Sequence, residues 1–474
     1  MPIDNPNPIL LSDSYKLGHH QQEVPGTTNT YSYYESRPGA KFPYTVFIGL
    51  QMLLKRYLEG PIVTAEHVRE AQSFSKEHFM GADIFNLAMW EHIVRRHEGR
   101  IPLSIRAVHE GTPVPVGNVM MDVRANDDQC ASLTNFFESL LTHVWHPSNV
   151  ATISHIIRQR IADAFVKTVD PDTHWLIEYM LHDFGFRGVS SVESAGMGGA
   201  GHLTSFKGTD TLIAIKYAMD YYGAGMAGFS VPASEHSIMT AMGPTGEYAV
   251  VEQLIARYPK GILSVVSDSY NIEKAIEYYG TIAKARILAR DGKFVVRPDS
   301  PRFAGDTAAN QVVWIAQQLE RHFGATVNTK GYKVLNPKVG IIYGDGLKIE
   351  QIFECIAALT TAGYAASTCV YGMGGGLLQK HDRDTQRNAF KCAAKERNGT
   401  WFDVYKNPLD KTKASKRGHL ALVRDSVTNQ LTTVQERDLP EGSTRNRLQP
   451  VFEDGTLLED RRWDDVRMCA STRM

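Results

Sequence analysis

Between about residue 149 and residue 390 the chain repeats one pattern, and that pattern limits what it can fold into. Short apolar runs at 262–266, 294–296, 339–343 and 366–371 alternate with helical spacings such as Val312, Ile315, Ala316 and Leu319. Runs this short and this uniformly apolar read as strands buried on both faces, so they predict a parallel sheet covered by helices. The runs finish in polar strings: His182 to Gly188, Lys207 to Asp210, Ser230 to Ser237, Ser267 to Tyr270, Arg297 to Ser300, Gly344 to Gly346 and Gly372 to Gly376. In a (β/α) barrel the carboxyl ends of the strands converge on one face. The polar strings are therefore expected to meet around one cavity. Any single string reads more readily as a turn than as a site, since Gly, Asp and Ser are turn residues. Their recurrence at successive strand ends, with Arg and Asp included, favours a site for the set.

The two ends of the chain have a different texture. Residues 30–35, 101–110 and 112–123 read as strands, as do 401–405, 419–423 and 431–434, with a turn at Thr428-Asn429. Thr64 is placed to cap a helix beginning at Ala65. Leu133, Phe136, Phe137, Leu140, Leu141 and Val144 predict a helix that stops at Pro147. The expected fold class is α/β: an irregular (β/α) barrel over 149–390, and a second α+β domain in which 1–148 pairs with 391–474.

Composition narrows the function classes. Lys plus Arg number 51 against 52 Asp plus Glu, which argues against a general nucleic-acid binder. The five cysteines are widely spaced and form no C-x-x-C pair, which argues against a disulfide framework and a structural zinc site. No apolar stretch approaches the roughly 18 residues of a membrane span, and the first residues lack a basic leader. A cytoplasmic protein is expected.

The charged residues suggest a phosphorylated ligand. Arg187, Arg297 and Arg383 are candidate anion clamps, because a guanidinium holds phosphate oxygens in pairs. Gly374-Gly375-Gly376 lets backbone N–H groups approach a phosphate. Asp268, Asp299 and Asp345 are suited to Mg²⁺, directly or through water. Each arginine taken alone reads equally as a surface or ion-pair residue.

The motifs together carry a specific resemblance. Asp13-Ser14-Tyr15-Lys16, Tyr31-Ser32-Tyr33 with Glu35 and Arg37, Leu181-His182-Asp183-Phe184-Gly185, Phe206-Lys207-Gly208-Thr209-Asp210, Glu235-His236-Ser237, Arg297-Pro298-Asp299-Ser300 and Gly374-Gly375-Gly376-Leu377-Leu378 follow one another in order. From about residue 9 to about residue 460 the chain resembles the nicotinamide phosphoribosyltransferase family of type II phosphoribosyltransferases. The resemblance implies transfer of phosphoribosyl from 5-phosphoribosyl 1-diphosphate to nicotinamide, with Mg²⁺, in a homodimer that shares its active sites. It implies that Phe184 and Tyr15 of the partner subunit sandwich the pyridine ring. Asp210 then accepts from the amide and repels a carboxylate; its alternative is a helix cap. Arg297, Asp299, Gly344, Asp345, Gly375 and Arg383 are implied around the ribose phosphate, and Arg187, His236 and Arg297 around the diphosphate. Arg37, Lys391, Lys406 and Lys413 correspond to further basic residues, with a solvated face as the alternative. His236 matches a histidine phosphorylated by ATP, with Asp268 as its orienting partner. Three departures from the family pattern stand near the site: Gly340 for a frequent Arg, Phe186 for a commoner Tyr, and Met373 for a frequent Ser. The rival readings are a nicotinate phosphoribosyltransferase, another barrel enzyme acting on a sugar phosphate, and a catalytically silent binding or signalling protein.

Overall fold

Each apolar run of the middle segment contributes a parallel strand, although the last begins only at Cys369, after a 3-10 turn at Ala366–Thr368. The computed structural model describes residues 6–409 and 414–473. Six strands lie side by side in the order Gly208–Thr209, Leu181–Asp183, Cys369–Met373, Val339–Tyr343, Phe294–Arg297 and Leu263–Val266. All five pairings are parallel. The sheet curls until its two edges share a neighbour. Phe229 N donates to Lys207 O at 2.7 Å on one edge, and Ser264 N donates to Pro232 O at 2.9 Å on the other. A short extended segment thus closes an irregular barrel and satisfies edge groups that otherwise lack partners. The Ala308–Phe323 and Ile349–Thr361 helices, among others, cover the outside.

The two chain ends meet in a seven-stranded sheet. Within it the Thr27–Glu35 strand pairs antiparallel with Ala389–Arg397 on one side and with Val119–Ala125 on the other. Buried apolar residues form two clusters, one under this sheet and one in and around the barrel. The first also takes in Met197, Ala200, Ala214 and Ala218 from two helices within the middle segment.

Those helices pack with backbones nearly touching. The Val192–Leu203 helix carries glycine where its neighbours crowd it. A Cβ on Gly199 would lie 2.4 Å from that of Ala214, and one on Gly201 would lie 2.5 Å from the Pro147 carbonyl oxygen. This brings the strand ends and their following turns within reach of the long Trp145–Thr168 helix.

Pro147 corrects one expectation. It does not stop a helix; it sits in the first turn of the Trp145–Thr168 helix. The first four N–H groups of a helix have no partner within it, so a missing N–H costs nothing there. The expected helix before it is broken into Leu133–Phe136, Glu138–Leu141 and the turn Thr142–Val144. Thr64 does cap the Ala65–His78 helix, accepting from His67 N at 3.1 Å. Asn429 takes the left-handed conformation that its turn requires. No helix among the described residues is long and apolar enough to cross a membrane.

Candidate functional site

A cavity of about 520 Å³ opens at the carboxyl ends of the parallel strands. It is lined by Phe184, Phe186, Arg187, Asp210, His236, Arg297 and Asp299, with Ser234, Glu235 and Ser237 among their neighbours. Residues more than a hundred positions apart reach it because each lies at or just after the carboxyl end of a sheet strand or of the extended segment that closes the barrel.

Phe184 forms one wall. Its ring lies against the backbone of the next two strands: a Cβ on Gly372 would fall 2.0 Å from Cε2, and one on Gly344 would fall 2.9 Å away. Only glycine leaves room for the ring at these points. The Arg297 guanidinium lies 5.1 Å from the centre of the same ring. Its Nη2 stands 3.6 Å from Asp299 Oδ1, while its Nε is buried without a partner among the described residues.

Asp210 does not cap the Leu212–Tyr222 helix that follows it; Thr211 holds that position. The Asp210 side chain turns towards the cavity. Oδ1 accepts from His182 Nε2 at 3.0 Å and from the Ser230 hydroxyl. No described residue donates to Oδ2. Burial pushes this carboxyl up, but the hydrogen bond and field of His182, with Ser230 and Arg297, outweigh it and hold the group below the usual range. It stays ionised at neutral pH. His182 and Ser230 were legible within the strand-end strings, but no pairing with Asp210 follows from residues 28 and 20 positions away.

The third wall is polar. His236 Nε2 stands 3.2 Å from Asp268 Oδ1, and its Nδ1 is 3.7 Å from Asp299 Oδ2. The other Asp268 oxygen accepts from Asp299 N at 2.8 Å and from the Ser300 hydroxyl. Both Asp268 oxygens are thus engaged in orienting neighbours. Burial first, then the charges of Asp299 and Asp268, push the Asp345 carboxyl up. Such mutual repulsion suits a divalent cation near Asp299 and Asp345. Gly375 approaches Gly188 closely: a Cβ on Gly188 would lie 3.3 Å from Gly375 N.

The remaining basic residues and Tyr15 gather elsewhere. Lys391, in the Ala389–Arg397 strand, feels Arg37, Lys406 and Arg383, and burial with these charges pushes its ammonium down. Glu138 influences both Lys391 and Tyr15. Tyr15 is 59% exposed, and neither it nor this basic group lines the barrel cavity. Lys413 lies outside the described residues.

A second cavity, of about 340 Å³, shares Phe184, Asp210 and Arg297 with the first and runs inside the barrel past Lys293, Val295, Gly340, Ile342 and Val370. A Cβ on Gly340 would lie 3.1 Å from Lys293 Cδ, so the lysine stem crosses the space that a larger residue would fill. Phe186 sits half-exposed at the rim. Met373 is fully buried and touches the glycine run only from beneath.

Comparison with known proteins agrees with this geometry. The model of the "Nicotinate phosphoribosyltransferase (NAPRTase) family" matches residues 179–455, and that of the "Nicotinamide phosphoribosyltransferase, N-terminal domain" matches residues 7–105. A nicotinamide phosphoribosyltransferase from Xanthomonas campestris is 41% identical, with 97% of each chain covered. One from Acinetobacter baylyi is 30% identical, covering 97% of this chain and 96% of its own. Among solved structures, nicotinate-nucleotide pyrophosphorylase from Pyrococcus furiosus has a TM-score of 0.61 at 16% identity, covering 99% of this chain and 96% of its own. Human nicotinic acid phosphoribosyltransferase has 0.57 at 16%, covering 97% and 93%. These two show a shared fold.

Proposed function

The chain belongs to the nicotinate phosphoribosyltransferase family, and from that premise we propose that the barrel mouth is where it joins nicotinamide to the ribose of 5-phosphoribosyl 1-diphosphate. The reaction gives nicotinamide mononucleotide and diphosphate, a step of NAD salvage. The observation that carries the choice of base is the ionised Asp210 beside the Phe184 ring. Its Oδ2 accepts an amide N–H of nicotinamide, whereas the carboxylate of nicotinic acid meets a like charge there.

The pyridine nitrogen already holds a lone pair, so no base is needed. The bond from ribose C1 to diphosphate breaks as the C1–N bond forms, through a transition state with oxocarbenium character. Phe184 offers its open face to the ring. Arg297 supplies a cation at the junction of base and phosphates. Arg187 and His236 face the departing diphosphate. Preorganised charge of this kind contributes most where charge develops. Asp299 and Asp345 would hold a Mg²⁺ ion, whose charge would neutralise the departing diphosphate.

His236 also takes phosphate from ATP. With Nε2 turned to Asp268, the Nδ1 lone pair attacks the γ-phosphorus; the N–P bond forms as the bond to ADP breaks. Tyr15 acts on the partner's site in a homodimer, as do some of the basic residues Arg37, Lys391, Lys406 and Lys413; this accounts for Tyr15, Arg37, Lys391 and Lys406 standing apart from the barrel cavity. The five free cysteines suit a reducing cytoplasm.

Turnover with nicotinamide and with nicotinic acid tests the assignment. Preference for the acid overturns it. Acid-labile, alkali-stable label from [γ-³²P]ATP tests the histidine: it appears on the protein and is absent from His236→Gln.

A further inference from the structure

Far along the chain from the barrel site, four side chains of mixed donor chemistry converge. His92 lies in the Leu87–Arg96 helix and His97 caps its end. Asp127 precedes the short turn Asp128–Cys130, which Cys130 closes. One donor atom from each of the four lies within 4.8 Å of every other. Both imidazole Nε2 atoms face the same carboxylate oxygen, Asp127 Oδ2, at 2.9 Å and 3.0 Å. The other oxygen is already committed, accepting from Gln129 N at 2.8 Å. Cys130 is fully buried, and the other three side chains are no more than 21% exposed.

From this arrangement we infer that His92, His97, Asp127 and Cys130 form a structural zinc site. Two imidazoles, a thiolate and a carboxylate are the donor types that Zn²⁺ takes, in the number that fills its tetrahedral shell. Bond lengths near 2.0–2.3 Å place tetrahedral donors roughly 3.3–3.8 Å apart. Closure around an ion therefore needs movements of about an ångström or less. Four protein donors leave no open position, so the ion is not catalytic. It fastens the end of the Leu87–Arg96 helix to the turn after the Val119–Ala125 strand, and so braces the terminal domain. The spacing signals are His-x₄-His and Asp-x₂-Cys, from two segments that come together only on folding. That is why the absence of a Cys-x-x-Cys pair did not exclude the site.

The test uses the full-length protein with any affinity tag removed. After exhaustive dialysis, elemental analysis is expected to find about one zinc per chain. Replacement by Co²⁺ is expected to give the visible bands of a tetrahedral ion and a thiolate-to-cobalt charge-transfer band. Cys130→Ser is expected to abolish the charge-transfer band, and His92→Gln to lower zinc content at least tenfold. In the unmutated protein, a strong chelator is expected to lower Tm, and added Zn²⁺ to restore it, by several degrees. Substoichiometric zinc with a Tm indifferent to Zn²⁺ overturns the inference. So does zinc that binds without the charge-transfer band and is retained equally by both variants, because it then lies elsewhere.

Discussion

Asp210 and Asp183 stand at the ends of adjacent strands and face opposite electrostatic surroundings. Around Asp210, His182 and Arg297 outweigh burial and keep the carboxyl ionised. On the proposed reading, replacing it by Asn removes the like-charge barrier to nicotinic acid and a charged acceptor for the amide. A hydrogen bond to a charged group contributes about 1.5–3 kcal/mol. Asp210→Asn is therefore expected to lower kcat/KM for nicotinamide about tenfold or more, and to narrow the preference over nicotinic acid, in steady-state assays with both bases. Asp183 is buried, and burial outweighs its bonds from Gly185 N and the Thr209 hydroxyl, pushing it from 3.8 up to about 6. Between those values the folded chain keeps a proton that the unfolded chain has released. Its contribution to stability is full below 3.8 and is lost as pH rises through about 6. Asp183→Asn stays neutral throughout. From about pH 4 to about pH 7 its stability should rise relative to the unmutated protein, by about 2–3 kcal/mol, in urea titrations.

At the scale of elements, contact between helix backbones sets where the strand ends fall. Gly201 faces the Pro147 carbonyl so closely that a methyl group there lies 2.5 Å from its oxygen. Alanine favours an isolated helix by about 1 kcal/mol over glycine. The crowding opposes that gain, because backbone cannot swing aside as a side-chain end can. Gly201→Ala is thus expected to destabilise the protein by about 1–3 kcal/mol, seen as a lowered urea midpoint with an unchanged slope. The result opposes what propensity alone predicts. The same helix places His202, whose Nδ1 meets the Ser154 hydroxyl at 2.9 Å and whose Nε2 meets the Gly208 carbonyl at 3.0 Å. One side chain so ties two helices to the strand that precedes Asp210.

Over the whole molecule, the unexplained feature is Tyr15 and the basic group around Lys391, apart from the barrel cavity. The proposed homodimer with shared sites would account for both. In that arrangement a Tyr15→Ala subunit and a His236→Gln subunit each spoil a different half of the site. A mixed dimer retains one site with both halves intact. Equal co-expression, with random pairing, is expected to restore about one quarter of full activity from two nearly inactive variants. Activity of the mixture equal to the mean of the separate variants rules the shared site out. Sedimentation of the same samples reports whether the dimers form.

The strand pattern of the middle segment was readable in the sequence because burial on both faces leaves an unbroken apolar run, and because strand ends need turns. Phe184, Asp210, His236 and Arg297 were readable as members of strand-end strings and by family resemblance. Their mutual placement was not. That His182 and Ser230 fix Asp210, that Gly372 and Gly344 make room for the Phe184 ring, and that Asp268 spends both oxygens on its neighbours are contacts between distant segments. So is the meeting of two histidines with Asp127 and Cys130. Local sequence specifies which backbone conformations are favourable over a few residues. It does not specify the distance between side chains that only the closing of a barrel, or the pairing of the chain's two ends, brings together.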